Sequence, residues 1–194
     1  MKSLASRGFL LLRSLCGASI MRRPLVPGRL LEVNGMGFLA RSYWKPRRSS
    51  VRPSSLEPGL FVGSQLDRRG VEELWRAGFH SIVNLSLEGE QGQILSPNVE
   101  ASWAHTFELD HARLSVGHSP RKEEFERLRQ LLDELSRPIY LHSTCGERAL
   151  ALGVASVARR RGWSGEQALR EAGSRVIALR SDSLKHFLLE TVDS

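Results

Sequence analysis

Cysteine is nearly absent: the 194 residues carry two, Cys16 and Cys145. They lie far apart, so neither a disulfide framework nor a cysteine-rich zinc site can be built from them. A reducing interior compartment fits that usage. Long apolar runs are also missing. The longest candidate in the leader, residues 8–12, is cut by Arg13, well short of the roughly 18 apolar residues a membrane span needs. It is also too short and too charged for a secretory h-region. Acidic residues are scarce at one end. Residues 1–56 hold eleven Lys/Arg against Glu32 alone, a charge of +10. The remainder holds 17 basic and 20 acidic residues, a charge of −3. The net +7 therefore belongs to the N-terminal segment, and the high isoelectric point does not mark a nucleic-acid-binding domain. There are no internal repeats.

What is present divides into two parts. Residues 1–55 read as a basic, disordered segment. Residues 41–55, RSYWKPRRSSVRPSS, combine proline, serine and positive charge, a linker composition. Tyr43 and Trp44 fit either a weakly ordered arm or a docking element. The extreme N-terminus is Arg-rich, Ser-containing and acid-poor, which resembles a mitochondrial transit peptide. Leu4, Phe9, Leu11, Leu12 and Leu15 can share an apolar side, with Lys2 and Arg7 elsewhere. The alternative is a bacterial gene whose true start is Met21 or Met36. The first reading implies the mitochondrial matrix, the second the cytoplasm. Residues 56–194 read as one folded domain. Hydrophobic content of 41% suffices for one core.

The patterning predicts strands at 59–63, 81–85 and 111–116 and helices at 67–77 and 98–107. Ser119-Pro120 predicts the start of a long helix, with Ser119 as cap and an apolar stripe of Phe125, Leu128, Leu131, Leu132 and Leu135. A buried strand at 139–141 follows, then a loop, then a helix over 149–160. Ser164 and Gln167 form a capping-box signature for another helix, and 181–192 reads as the last. Strands alternating with helices predict an α/β fold: a mostly parallel central sheet between two helical layers. In such folds ligands bind beyond the carboxyl ends of the strands.

One loop stands at such an end. His142-Ser143-Thr144-Cys145-Gly146-Glu147-Arg148 joins strand to helix. Unpaired N–H groups and the helix dipole favour an anion there. Arg148 has two readings: a guanidinium clamp on phosphate or sulfate, or a salt bridge to Glu88 or Glu90.

The order GLFVGSQ, AGFHSIVNL, HARLSV and SPRKEEFERLRQLLDELSRPIYLH, followed by this loop, resembles the cysteine-dependent protein tyrosine and dual-specificity phosphatase superfamily. It is most similar to the phosphatase-like domain of the beta-lactamase-hydrolase-like type. The resemblance covers about 56–172. It implies a three-layer αβα fold and a phosphate-binding loop of Ser143, Thr144, Cys145, Gly146, Glu147 and Arg148. The family motif is His-Cys-x-x-Gly-x-x-Arg, with cysteine as nucleophile. Here His142 and Gly146 align, Ser143 takes the nucleophile position and Ala149 the usual arginine position. Arg148 sits one residue early.

Ser143 is the severe departure. A helix N-terminus lowers a thiol's pKa into the neutral range, whereas a serine hydroxyl needs a neighbouring base. His142 is expected to support the loop from behind. Cys145 is either inert or a redox-sensitive thiolate. The general acid of such phosphatases is an aspartate after the third strand. Here His118 is the titratable group in that loop, as weak acid or plain surface histidine, and Asp110 lies at the wrong end. Four functions follow: a pseudophosphatase that binds a phosphorylated protein or small phospho-ligand, an unconventional phosphatase using Ser143 or Cys145, a rhodanese-like sulfurtransferase, or a scaffold subunit. No cofactor, metal, nucleic acid or transmembrane segment is expected, and oligomeric state is left open.

Overall fold

The computed structural model describes residues 18–21 and 51–193. The transit-peptide stretch, most of the linker stretch, Tyr43 and Trp44 lie outside the described residues. The strands are β1 (Ala18–Met21), β2 (Ser54–Glu57), β3 (Leu60–Ser64), β4 (Ser81–Asn84), β5 (Asp110–Leu114) and β6 (Ile139–Ser143). The helices are α1 (Arg68–Arg76), α2 (Pro97–Thr106), α3 (Lys122–Glu134), α4 (Glu147–Arg161), α5 (Gly165–Gly173) and α6 (Asp182–Asp193). They form one sheet in the order β1-β5-β4-β6-β3-β2. The four inner strands run parallel; β1 and β2 pair antiparallel at the two edges.

Strand alternation sorts the apolar residues into two cores. Leu60, Val62, Val83, Ala112, Leu114, Ile139 and Leu141 face the layer of α3, α4, α5 and α6. Ile82 and Tyr140 face the other way, onto Val71 and Leu74 of α1 and Ala104 of α2. This is the expected three-layer αβα arrangement with a mostly parallel sheet. All five residues of β6 are buried, so a short apolar run rather than alternation marks the most central strand.

Local chemistry sets the helix ends. Asp67 caps α1 by accepting the Gly70 N–H at 2.6 Å, and Ser164 with Gln167 forms the capping box of α5. Three sequence expectations shift. Helix α3 begins two residues after Ser119-Pro120: Arg121 is the cap residue, and Glu124 accepts its backbone N–H at 2.8 Å. The carboxylate at the third helical position replaces the serine cap. Helix α4 starts at Glu147, so Glu147 and Arg148 belong to its first turn rather than to the loop. The folded region also reaches back beyond residue 56. Val51 is 4% exposed in the α1 core, and Ser54, Ser55 and Ala18–Met21 are in strands. Strand β2 has one buried residue, Leu56, so no alternation announced it.

The topology places a site. The chain leaves β4 towards α2 on one face and leaves β6 towards α4 on the other. Adjacent strands whose connections diverge open a crevice at their carboxyl ends. The segment after Asn84 and the loop after Ser143 meet there.

Candidate active site

The loop after β6 is drawn tightly over the neighbouring strand. Gly146 has φ +88°, and a Cβ there would come 3.1 Å from the Gly63 carbonyl oxygen of β3. Glycine is required on both counts: a left-handed conformation and a close backbone approach. The Gly146 N–H bonds back to the Ser143 carbonyl at 3.2 Å. No described residue accepts from the N–H groups of Thr144, Cys145, Glu147 or Arg148. These are the orphan donors of a helix start.

A cavity of about 340 Å³ opens beside them. Thr144, Cys145, Glu147 and Arg148 line it, with His118 from the loop after β5, Glu90 and Gln91 from the segment after β4, and Ser181 and Leu184 at the start of α6. The structure therefore brings together Thr144, Cys145, Glu147, Arg148 and His118. Ser143 is not among the residues that line the cavity. Ser143 is fully buried, and its Oγ takes the Ala149 N–H at a long 3.5 Å. Gly146 shapes the loop without lining the cavity. Glu147 turns sideways, its Oε2 accepting the N–H groups of Arg180 at 2.9 Å and Ser181 at 3.0 Å. Cys145 is exposed. Asp110 opens β5, at the far end of the sheet from the loop.

Of the two readings of Arg148, the ion pair is present. Arg148 Nη2 donates to Glu90 Oε2 at 2.5 Å, and Nη1 donates to the Val116 carbonyl at 2.5 Å. Thr144 Oγ1 donates to the same Glu90 oxygen. Glu88 pairs outward, with Arg113 at 3.1 Å.

Behind the loop lies a network that the sequence did not reveal. Side chains alternate along β6, so the His142 ring points away from the cavity, into the α1/α2 layer. Its Nε2 is 2.9 Å from Glu100 Oε1 of α2, and His111 Nε2 of β5 is 2.9 Å from the same oxygen. Asn84 Nδ2 donates to it as well, at 3.1 Å. Glu100 is 1% exposed and His142 fully buried. Tyr140 stacks on His142, with ring centroids 5.8 Å apart. Burial pushes the Tyr140 phenol pKa up, with help from the Glu100 charge, and the hydroxyl donates to the Ser64 carbonyl at 2.9 Å.

Burial opposes ionisation of Glu100, but the attraction of His142 and hydrogen bonds from both histidines outweigh it and hold the pKa at about 2. A depressed carboxylate pKa contributes stability that is complete above the unfolded value and is lost as pH falls through the folded one. Stability should therefore be flat in this contribution from pH 7 to about 5, then fall on the order of 3 kcal/mol between about pH 4.5 and 2. Urea titrations across that range check this. A Glu100→Gln variant that keeps the full acid slope would refute it.

Among the described residues no helix is long and apolar enough to cross a membrane, and no group of three or more His, Cys, Asp and Glu is placed to hold a metal ion. A family model described as DSP-PTPase phosphatase fused to NAD+ kinase matches residues 42–187. The protein named "Probable NAD kinase 2, chloroplastic" from Oryza sativa subsp. japonica is 32% identical over 110 residues, which is 53% of this chain and 11% of that protein. The chain thus spans about a tenth of the length of that relative. Among solved structures, the core catalytic domain of the PP-IP phosphatase SIW14 from S. cerevisiae superposes with a TM-score of 0.58 at 14% identity, over 70% of this chain and 82% of that one. TpbA of P. aeruginosa superposes with a TM-score of 0.58 at 16% identity, over 74% of this chain and 89% of that one. At such identities these likenesses show the fold.

Proposed function

The chain belongs to the family described as DSP-PTPase phosphatase fused to NAD+ kinase, and from that premise we propose that its phosphatase-type domain is a pseudophosphatase. It holds a phosphorylated protein, a small phospho-ligand or a free oxyanion and is poorly equipped to cleave it. The observation that carries this reading is Ser143. It stands at the nucleophile position, and it is fully buried and not among the residues that line the cavity, its Oγ taking the Ala149 N–H. An unassisted serine hydroxyl is not ionised by loop amides alone, and the adjacent His142 commits Nε2 to Glu100 on the opposite face of the sheet. Thr144, Cys145, Glu147 and Arg148 keep unpaired N–H groups, and these with the Arg148 guanidinium are the binding elements.

The second reading, an unconventional phosphatase, is favoured by one observation. Cys145 is exposed and shares the cavity with His118 and Arg148. The two readings separate by assay. The wild-type protein should show no turnover of an aryl phosphate above a Cys145→Ser, Ser143→Ala double variant. Turnover that Cys145→Ser alone abolishes would overturn the first reading and establish the second. Turnover that Ser143→Ala alone abolishes would assign the serine. Cyanide-dependent sulfur transfer from thiosulfate would instead support the rhodanese-like reading.

The basic segment divides from the phosphatase-type domain near Val51, which packs into the α1 core, although β1 (Ala18–Met21) from that segment pairs with β5 at the sheet edge. The Arg-rich N-terminus and the rice relative's printed name both support an organelle as destination. An NAD+ kinase unit is the partner class that the family's description suggests.

A further inference from the structure

The contacts of Glu90 carry one more inference, which rests on reading the 143–148 loop as an oxyanion site. Its side chain is 10% exposed, and that of Arg148 is 3% exposed. One carboxylate oxygen, Oε2, receives both Arg148 Nη2 and Thr144 Oγ1. The other, Oε1, is buried and has no hydrogen-bond partner. A carboxylate serving only to orient a guanidinium gains most from two parallel bonds, one to each oxygen. Here a single oxygen takes the side-chain donors and its twin is desolvated without return.

We propose that Glu90 is an internal occupant of the clamp: its carboxylate fills the place of a ligand's oxyanion, and a phosphate group binds only when it leaves. With Glu90 in place the charge of Arg148 is cancelled, and Glu147 adds a second carboxylate to the cavity wall. The cavity then offers an incoming anion little net attraction. With Glu90 withdrawn, Arg148, Thr144 and the unpaired loop N–H groups face the cavity together.

For Glu90 to leave, the segment that carries it must move aside, and a glycine stands at each end. Gly89 and Gly92 flank it with φ +74° and +80°, and a Cβ at either would meet nothing within 4 Å. Side-chain bonds near the surface fasten it: Gly89 N–H to Gln93 Oε1 at 3.0 Å, Gln65 Nε2 to the Gly92 carbonyl at 2.7 Å, and Ile94 N–H to Gln65 Oε1 at 2.8 Å. Water can replace each of these when the segment swings.

The test is calorimetric titration of the full chain with inorganic phosphate at constant ionic strength and pH 7. Wild type, Glu90→Gln, Glu90→Ala, Arg148→Ala and the double variant Glu90→Ala, Arg148→Ala are compared, and thermal melts without ligand confirm folding. Two neutral replacements are used because glutamine retains hydrogen-bonding capacity and alanine does not. At least one neutral Glu90 variant should bind phosphate ten times more tightly than wild type, and the double variant should lose that gain. Wild-type binding that both Glu90 variants weaken or leave unchanged overturns the proposal and makes Glu90 a positioning residue for Arg148, with the oxyanion site intact. Absence of binding in every variant overturns the oxyanion site and this inference together.

Discussion

Glu100→Ala should cost about 3–5 kcal/mol of folding stability, the range for removing one partner from a buried charged cluster. The loss does not come from the ion pair alone. Three donors converge on Glu100 Oε1: His111 Nε2, His142 Nε2 and Asn84 Nδ2. All four side chains are buried, between 0% and 5% exposed. Alanine would leave each donor without an acceptor and out of reach of water, at about 1–3 kcal/mol per stranded group. Relief of the buried charge offsets part of that sum. Glutamine keeps an acceptor oxygen at the same place but not the charge, so Glu100→Gln should cost about 3 kcal/mol, the amount the charge contributes at neutral pH and the lower end of the range for alanine. Urea unfolding at pH 7, with equal m-values as the sign of an unchanged transition, measures both. If Glu100→Ala costs less than about 1 kcal/mol, surface-like water is reaching the cluster and the network does not hold β4, β5, β6 and α2 together.

The fold was legible in the sequence wherever a local rule was strong. Asp67 and the Ser164–Gln167 pair marked helix starts, and the run Ile139-Tyr140-Leu141 marked the central strand. The loop was legible because its residues are contiguous: His142 to Arg148 read as strand end, anion loop and helix start. What could not be read was placement between distant segments. Ser143 and Cys145 both sit in the loop, yet Ser143 is fully buried with its Oγ on the Ala149 N–H, while Cys145 is exposed and lines the cavity. Glu90 was visible as one of two possible partners of Arg148; choosing between it and Glu88 needed the position of Arg113. Glu100 and His111 gave no signal. A charged residue inside a short helix and a histidine opening a strand are ordinary on a surface, and only the sheet order β5-β4-β6 brings both histidines over one carboxylate. Serine-rich β2 escaped because an edge strand with one buried residue has no period to detect.

Gly63→Ala should destabilise the domain by about 3 kcal/mol, at the upper end of the cost of overpacking a filled core. Gly63 lies on β3 opposite His142 of β6. A Cβ at this position would stand 1.8 Å from the Tyr140 hydroxyl oxygen and 2.5 Å from Cζ of the same ring. The clash cannot be relieved by a small rotation, since Tyr140 is 1% exposed and lies edge-on to Phe79 with centroids 6.1 Å apart. The ring must leave its place, giving up the bond to the Ser64 carbonyl and the stack on His142. Displacement of His142 then loosens its contact with Glu100, and the Gly63 carbonyl itself lies beneath Gly146. The same substitution therefore reaches the loop from two sides, through the aromatic stack and through the backbone. A double-mutant cycle isolates the cause. Tyr140→Leu removes the ring atoms that clash, and in that background Gly63→Ala should cost less than about 1 kcal/mol. Equal costs in the two backgrounds would show that the alanine acts on the β3 backbone and that Tyr140 is not what demands glycine at position 63.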